Sequence, residues 1–349
     1  MKFVCYDHWD QLPECANQLF AECEQKSVFL SRDWLENITY HSLPNENKLL
    51  LVCVIENQRF LAILPMMQCP RGGLNALSTR FTTFFSLLIS DRDKKESVFN
   101  CLAKGLSQLP INSIQFEPID SCDTNMNTLQ EYLLEHELRG YPYFKFYNWT
   151  HKTNNQTFNE YINSRPTVLR NTIQRKRRKL DREQNYEIKL YKDRNIKQAL
   201  IDYQNVYSNS WKANEYFSDF TPNLIKRMSE SEWLRLGILY IDSKPIAAQI
   251  WIVVHSTASI YRLVYDEKWK QYSPGSILTE YLMQHVINID KVSEIDFLTG
   301  NESYKHDWMT LRKERIGIRF SKPKTSWYSR KTQLIKNIFF FHDNNSRTT

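Results

Sequence analysis

The feature that most restricts how this chain can fold is a strand–turn–strand pattern that occurs twice. Residues 49–55 form an unbroken apolar run, followed by the polar turn Glu56-Asn57-Gln58-Arg59 and a second apolar run over residues 60–67. Residues 234–241, the turn Asp242-Ser243-Lys244-Pro245 and residues 246–254 repeat the arrangement, and a third strand is expected over 259–265. Short apolar runs bounded by turn formers read as buried strands joined in hairpins. Their recurrence predicts two copies of one α/β unit, alike in pattern though not in residues. A length of 349 residues agrees, since single cores rarely grow past about 250–300 residues.

Between the copies, residues 145–156 are largely polar and without a clear period, with Asn148, Asn154 and Asn155 as turn formers. The expected division is therefore 1–150 and 151–320, followed by a basic and aromatic tail over 321–349 that holds Phe339-Phe340-Phe341. Within the second unit a helix is expected over 166–182, with Pro166 in its first turn and Leu169, Ile173 and Leu180 as its apolar stripe. Another helix is expected over 196–211.

A hydrophobic fraction of 42% with 13% aromatics is ample for a globular core. The first residues reach Asp7 before any apolar stretch of signal-peptide length, and no apolar run approaches the roughly 18 residues that span a bilayer. The seven cysteines, all within the first 122 residues and without CxxC spacing, read as reduced thiols of a cytoplasmic protein. The net charge of +7 is concentrated at 165–183, where eight basic residues face two acidic ones. Such a concentration argues for one local anionic contact rather than a coat of positive charge for nucleic acid.

The chemistry is expected at the ends of two strands in the second unit. Ile260-Tyr261-Arg262-Leu263-Val264-Tyr265 is followed by a loop and then by Pro274-Gly275-Ser276, which opens a helix through Leu278, Leu282 and Val286. A helix N-terminus offers free N–H groups to an anion, and glycine lets it approach the backbone closely; the alternative is a plain β-to-α connection. The next strand, Glu294-Ile295-Asp296-Phe297-Leu298, ends in Thr299-Gly300-Asn301-Glu302-Ser303-Tyr304-Lys305. Ligands in α/β units gather beyond the carboxyl ends of strands, so Asp296, Tyr304 and Lys305 are candidate ligand-facing groups; the alternative is a capping and salt-bridging loop. His255 is a second candidate base, in a turn between strands. Scattered histidines and the lack of an HExxH or GxSxG pattern argue against a catalytic metal and against serine-hydrolase chemistry.

The stretch Arg170-Asn171-Thr172-Ile173-Gln174-Arg175-Lys176-Arg177-Arg178-Lys179-Leu180, the pair Ser210-Trp211, the loop Tyr272-Ser273-Pro274-Gly275, and Ile295-Asp296-Phe297 with Gly300, Tyr304-Lys305 and Trp308 together resemble one family. It is the CelD/BcsL-type acetyltransferases of polysaccharide biosynthesis, a branch of the GNAT superfamily related to the FemAB transferases. The match spans about 165–308, with weaker similarity at 29–34. The resemblance implies an α/β fold with mixed sheets, two tandem GNAT-like domains, and an acyl-CoA, most simply acetyl-CoA, held by the second. In that family the splayed strand pairs with pantetheine and the following loop wraps the pyrophosphate. The implied donor site is Leu263, Val264 and Tyr265 with Gln271, Ser273, Gly275 and Ser276. Pro274 departs from the family's glycine-rich loop and supplies no N–H. The implied reaction is attack of an amine on a thioester, with Asp296 as base or amine-orienting group, Tyr304 as acid, a 263–265 N–H as oxyanion donor, and Lys305 neutralising phosphate or an acidic acceptor.

Three other partners stay open at this level. An acyl carrier protein or an aminoacyl-tRNA could replace coenzyme A as donor, the latter as in FemAB relatives, with the basic helix meeting RNA phosphates. The basic helix and tail could also rest on anionic lipid at the inner membrane face, either as a scaffold or beside an amine-bearing glycan or small-molecule acceptor. Phe81, Phe84 and Phe85 read as core residues or as the lining of an acceptor cleft.

Overall fold

The computed structural model describes residues 1–91, 95–213 and 215–322; the expected tail beyond 322 lies outside them. The first half runs β1 (Lys2–Tyr6), α1 (Asn17–Glu24), α2 (Arg32–Ser42), β2 (Lys48–Glu56), β3 (Arg59–Cys69), β4 (Gly73–Ala76) and β5 (Leu88–Ile89). It continues with α3 (Lys95–Gln108), β6 (Ser113–Asp120), α4 (Thr124–Glu135) and β7 (Arg139–Lys152). The second half opens with α5 (Phe158–Asn163), α6 (Thr167–Glu183), β8 (Tyr186–Tyr191), α7 (Lys197–Ser208) and α8 (Phe220–Glu230). There follow β9 (Leu234–Ile241), β10 (Lys244–Val254), β11 (Thr257–Tyr265), α9 (Pro274–Asn288), β12 (Glu294–Thr299), α10 (Ser303–Trp308) and β13 (Leu311–Ser321).

Both hairpins form where the repeated pattern places them. Each turns through two residues of positive φ, Asn57 and Gln58 in one and Asp242 and Ser243 in the other. Paired positive φ is the tight-turn geometry that matches strand twist and favours Asn and Asp. The strands join one sheet in the order β1-β2-β3-β4-β6-β13-β7-β12-β11-β10-β9-β8, with β5 added beside β3. The order is a palindrome of the two halves, except at the centre. There the last strand of each half has crossed over: β13 pairs with β6, β7 pairs with β12, and β7 and β13 pair with each other from Leu311↔Thr150 to Ser321↔Arg139.

The expected boundary at 145–156 therefore coincides with the second half of a 14-residue strand, and residue 150 lies inside it. Its polar residues misled because they are buried at the join: Asn148, Thr150 and His151 are each 5% exposed or less. Strand β13 went unread, its apolar Ile316, Ile318 and Phe320 being interleaved with Gly317 and Arg319 behind the charged run 312–315.

One core unites the halves. Trp9, Phe20, Trp34, Leu51 and Ile63 from the first share it with Tyr203, Phe220, Leu224, Ile238 and Ile250 from the second. Phe81 stacks on Phe220 with ring centres 3.9 Å apart, and Trp34 meets Phe220 and Tyr261 edge-on. Phe81 and Phe85 are thus core residues. The other two cores lie on the opposite faces, under α3 and α4 in the first half and under α6 and α9 in the second.

Candidate active site

In each half a parallel strand pair holds together for three residues and then opens. β4 and β6 pair from Gly73↔Ser113 to Asn75↔Gln115, and β11 and β12 from Thr257↔Glu294 to Ser259↔Asp296. In the first half the opening is filled by the chain itself, since Phe85 N–H donates to Pro118 O on β6 at 2.7 Å. In the second half β11 continues to Tyr265 bonded, among the described residues, only to β10, so its edge over 260–265 faces a slot without a ladder partner there. An extended ligand with amide groups can add to such an edge as a strand would.

The helix that closes this slot is positioned by a buried amide. Gln249 on β10, fully buried, donates through Nε2 to Gly275 O and Thr279 Oγ1, both at 2.8 Å, and accepts from Trp251 Nε1 at 2.8 Å. This fixes the first turn of α9 against the sheet. Ser273 takes a left-handed φ of 51°, Pro274 follows at the first helical position, and the first helical bonds run from Ser276 and Ile277 to Ser273 O. A Cβ on Gly275 would stand 3.3 Å from Leu263 Cδ2 and 3.5 Å from Tyr265 Cδ1, so glycine is what brings the helix onto the end of β11. The candidate donor residues Leu263, Val264, Tyr265, Ser273, Gly275 and Ser276 thus converge where the slot meets a helix N-terminus. Gln271 belongs to the 3-10 segment Glu267–Tyr272, and its carbonyl accepts from Lys176 Nζ of α6 at 2.6 Å. The basic helix therefore braces the loop, with Lys179 against the Tyr272 ring.

Across the slot, Asp296 accepts from Asn148 Nδ2 at 2.9 Å and from Leu298 N–H at 2.7 Å, the latter made possible by the left-handed turn of Leu298. Burial raises its pKa, opposed by Arg315 nearby. Asn148 Oδ1, Thr150 Oγ1 and Arg315 Nε, all buried, have no partner among the described residues. Phe297 points to the opposite face, and the half-exposed Tyr304 lies beside it with ring centres 6.4 Å apart. Burial pushes the Tyr304 phenol up to about 12, so it stays protonated near neutrality. Asp296 and Tyr304 consequently flank the end of β12 from opposite faces.

Lys305 is 4% exposed. Its ammonium donates to Phe297 O at 3.1 Å and to Thr299 O, and it pairs with Glu302 at 3.4 Å. It holds the β12–α10 connection in shape rather than projecting into solvent. His255 sits in the β10–β11 turn, at the opposite end of β11 from α9. Along the strand that is about 17 Å from residue 260, where the slot opens, and about 30 Å from its α9 end.

Sequence reasoning missed the other wall. Arg262 on β11 pairs with Glu215, which also accepts from Thr221 Oγ1 at 2.9 Å, and its guanidinium lies over Phe81 and Tyr261. Arg315 pairs with Asp120 and covers Phe84. Only Ser210-Trp211 hinted at this wall: the Trp211 ring packs 4.5 Å from that of Tyr265.

Two tandem units with an opened strand pair and a helix at its mouth define the GNAT-like fold. Residues 168–306 match the family model described as an acetyltransferase (GNAT) domain. Among solved structures, FemX aligns with TM-score 0.64 at 9% identity, covering 97% of this chain and 99% of that one. A tandem GNAT protein from the clavulanic acid biosynthesis pathway aligns with TM-score 0.52 at 9% identity, over 93% and 99%. The C-terminal domain of a putative lysylphosphatidylglycerol synthetase from Agrobacterium fabrum aligns with TM-score 0.55 at 13% identity, over 87% and 92%. No curated protein matches at a significant level. Among the described residues no helix is long and apolar enough to cross a membrane.

Proposed function

We propose that the protein is an acyl-CoA-dependent N-acyltransferase, most simply an acetyltransferase, acting on an amine acceptor such as an amino sugar of a polysaccharide or envelope precursor. The observation that carries this reading is the open slot between β11 and β12, against the filled equivalent between β4 and β6. The edge of β11 would pair with the pantetheine amides of the donor. The N-terminus of α9 at Gly275 and Ser276 would face the pyrophosphate, with Lys176 nearby on the bracing helix. Asp296 would hold the acceptor ammonium, Tyr304 would protonate the departing thiolate, and an N–H of residues 263–265 would stabilise the oxyanion.

Thermal-shift titration with acetyl-CoA, longer acyl-CoAs and free coenzyme A tests the donor. A ligand at about 100 times its Kd adds about 2.7 kcal/mol of stability. A saturable shift abolished by Gly275→Glu is expected. No shift with any of them would sink the coenzyme A donor. Near wild-type turnover in both Asp296→Ala and Tyr304→Phe would remove the assigned roles.

The exposed basic face of α6 beside the loop supports a second reading, in which the donor is an acyl carrier protein or an aminoacyl-tRNA. Retention of tRNA that weakens steeply with salt, together with indifference to acyl-CoA, would favour it. For the coenzyme A reading we place the protein in the cytoplasm, at the inner membrane face if its acceptor is a lipid-linked precursor; flotation with anionic vesicles tests that placement.

A further inference from the structure

Strand β8 ends the sheet on the side of the second half and, among the described residues, has β9 as its one neighbour. Their antiparallel register runs without a shift from Tyr186↔Ile241 to Tyr191↔Leu236, and one step before it Asp242 N–H donates to Asn185 O at 3.1 Å. Bonded and non-bonded pairs alternate along such a ladder, so Asn185, Glu187, Lys189 and Tyr191 turn their N–H and C=O groups toward β9. Those of Tyr186, Ile188 and Leu190 point outward, where no partner meets them among the described residues.

The side chains of this edge divide by face. Tyr186, Ile188 and Leu190 border the core under α6 and α9, and each stays partly exposed. Glu187 and Lys189 stand on the other face, about half exposed, and pair with each other at 2.9 Å. The Lys189 ammonium is held over the Tyr240 ring, 5.1 Å from its centre.

We propose that this edge is where two copies of the chain associate, β8 against β8, about a twofold axis through Ile188. The inference does not depend on the acyltransferase reading. In that register Ile188 faces its own copy and Tyr186 faces Leu190 of the other chain. The outward N–H and C=O groups of all three then bond across the axis, and the exposed parts of the apolar row cover one another. On the opposite face Glu187 of each copy stands across from Lys189 of the other. Opposite charges directly across a strand pair stabilise it and like charges destabilise it. The smallest slip that keeps the outward groups facing is two residues, which moves the axis to Glu187 or to Lys189 and sets like charges across from each other. The strand is therefore self-complementary in one register. The other edge of the sheet, β1, has Lys2 as its one charged side chain and offers no such match.

Sedimentation velocity on the full-length protein, over roughly 1 to 100 µM, tests this and should show a reversible dimer. Lys189→Glu sets acid across from acid and Glu187→Lys sets base across from base. Each should raise the dimer Kd at least ~10-fold, with an unchanged circular dichroism spectrum to show that the fold is intact. Mixed in equal amounts, the two variants should form a heterodimer with a Kd within about threefold of the wild type, because each supplies the charge the other lacks. A wild-type chain that stays monomeric at about 100 µM overturns the proposal. So does a dimer indifferent to both substitutions, or a mixture that associates no better than either variant alone.

Discussion

Gln249 shows how much of this site depends on one side chain away from the reacting groups. Its amide joins β10 to the carbonyl of Gly275 and the hydroxyl of Thr279, and receives the indole N–H of Trp251. Gln249→Ala would leave the buried indole N–H of Trp251 without its acceptor, at a cost of about 1–3 kcal/mol, while Gly275 O and Thr279 Oγ1 keep their bond to each other at 2.9 Å. We expect a loss of about 2 kcal/mol in urea unfolding, together with at least a ~10-fold weaker acetyl-CoA affinity by calorimetry, because α9 loses its tie to β10. Ser276→Ala, on a partly exposed side chain, should leave stability within about 0.5 kcal/mol. At this scale the sequence was only partly readable. Asp296, Tyr304 and the Gly275 turn stand out as polar or glycine signals at strand ends. Lys305 does not announce that it is enclosed, and Glu215 and Arg262 acquire meaning only when residues 47 positions apart meet.

Strand β7 carries a second buried group with a readable consequence. His151 is 5% exposed, hydrogen-bonds Thr310 Oγ1 at 3.0 Å and Gln156 at 2.6 Å, and lies 4.9 Å from the Tyr161 ring. Burial, assisted by Arg165, lowers its pKa from 6.5 to about 4. The folded protein therefore keeps His151 neutral while the unfolded chain takes up a proton below about 6.5, so stability is complete above that pH and drains away toward pH 4. The contribution is at most about 3 kcal/mol, and His151→Gln should flatten the profile of urea midpoint against pH between 6.5 and 4. The elements that sequence pattern found most easily, the two hairpins and α9, are those with a single apolar period. β7 and β13 lie at the centre of the sheet, yet they carry polar residues, Asn148, Thr150, His151 and Arg315, that are buried only in the finished sheet.

Seen whole, the molecule is two like units that cannot be cut at their midpoint. Ending the chain at residue 310 would remove the partner of both β6 and β7, while starting it at 153 would take β7 from β12. We expect neither piece to give a cooperative unfolding transition by circular dichroism, whereas the full chain should melt in one transition because Trp34, Phe81 and Phe220 sit in a common core. Two separately folding fragments would contradict the shared core. The crossed central strands also set an order of events during synthesis. The first half leaves the ribosome with β6 lacking its neighbour, and that neighbour, Leu311–Ser321, is made only after the whole second half. An exposed apolar edge must therefore wait through most of translation, which makes this chain a natural client for chaperones that shield nascent strands until the last one arrives.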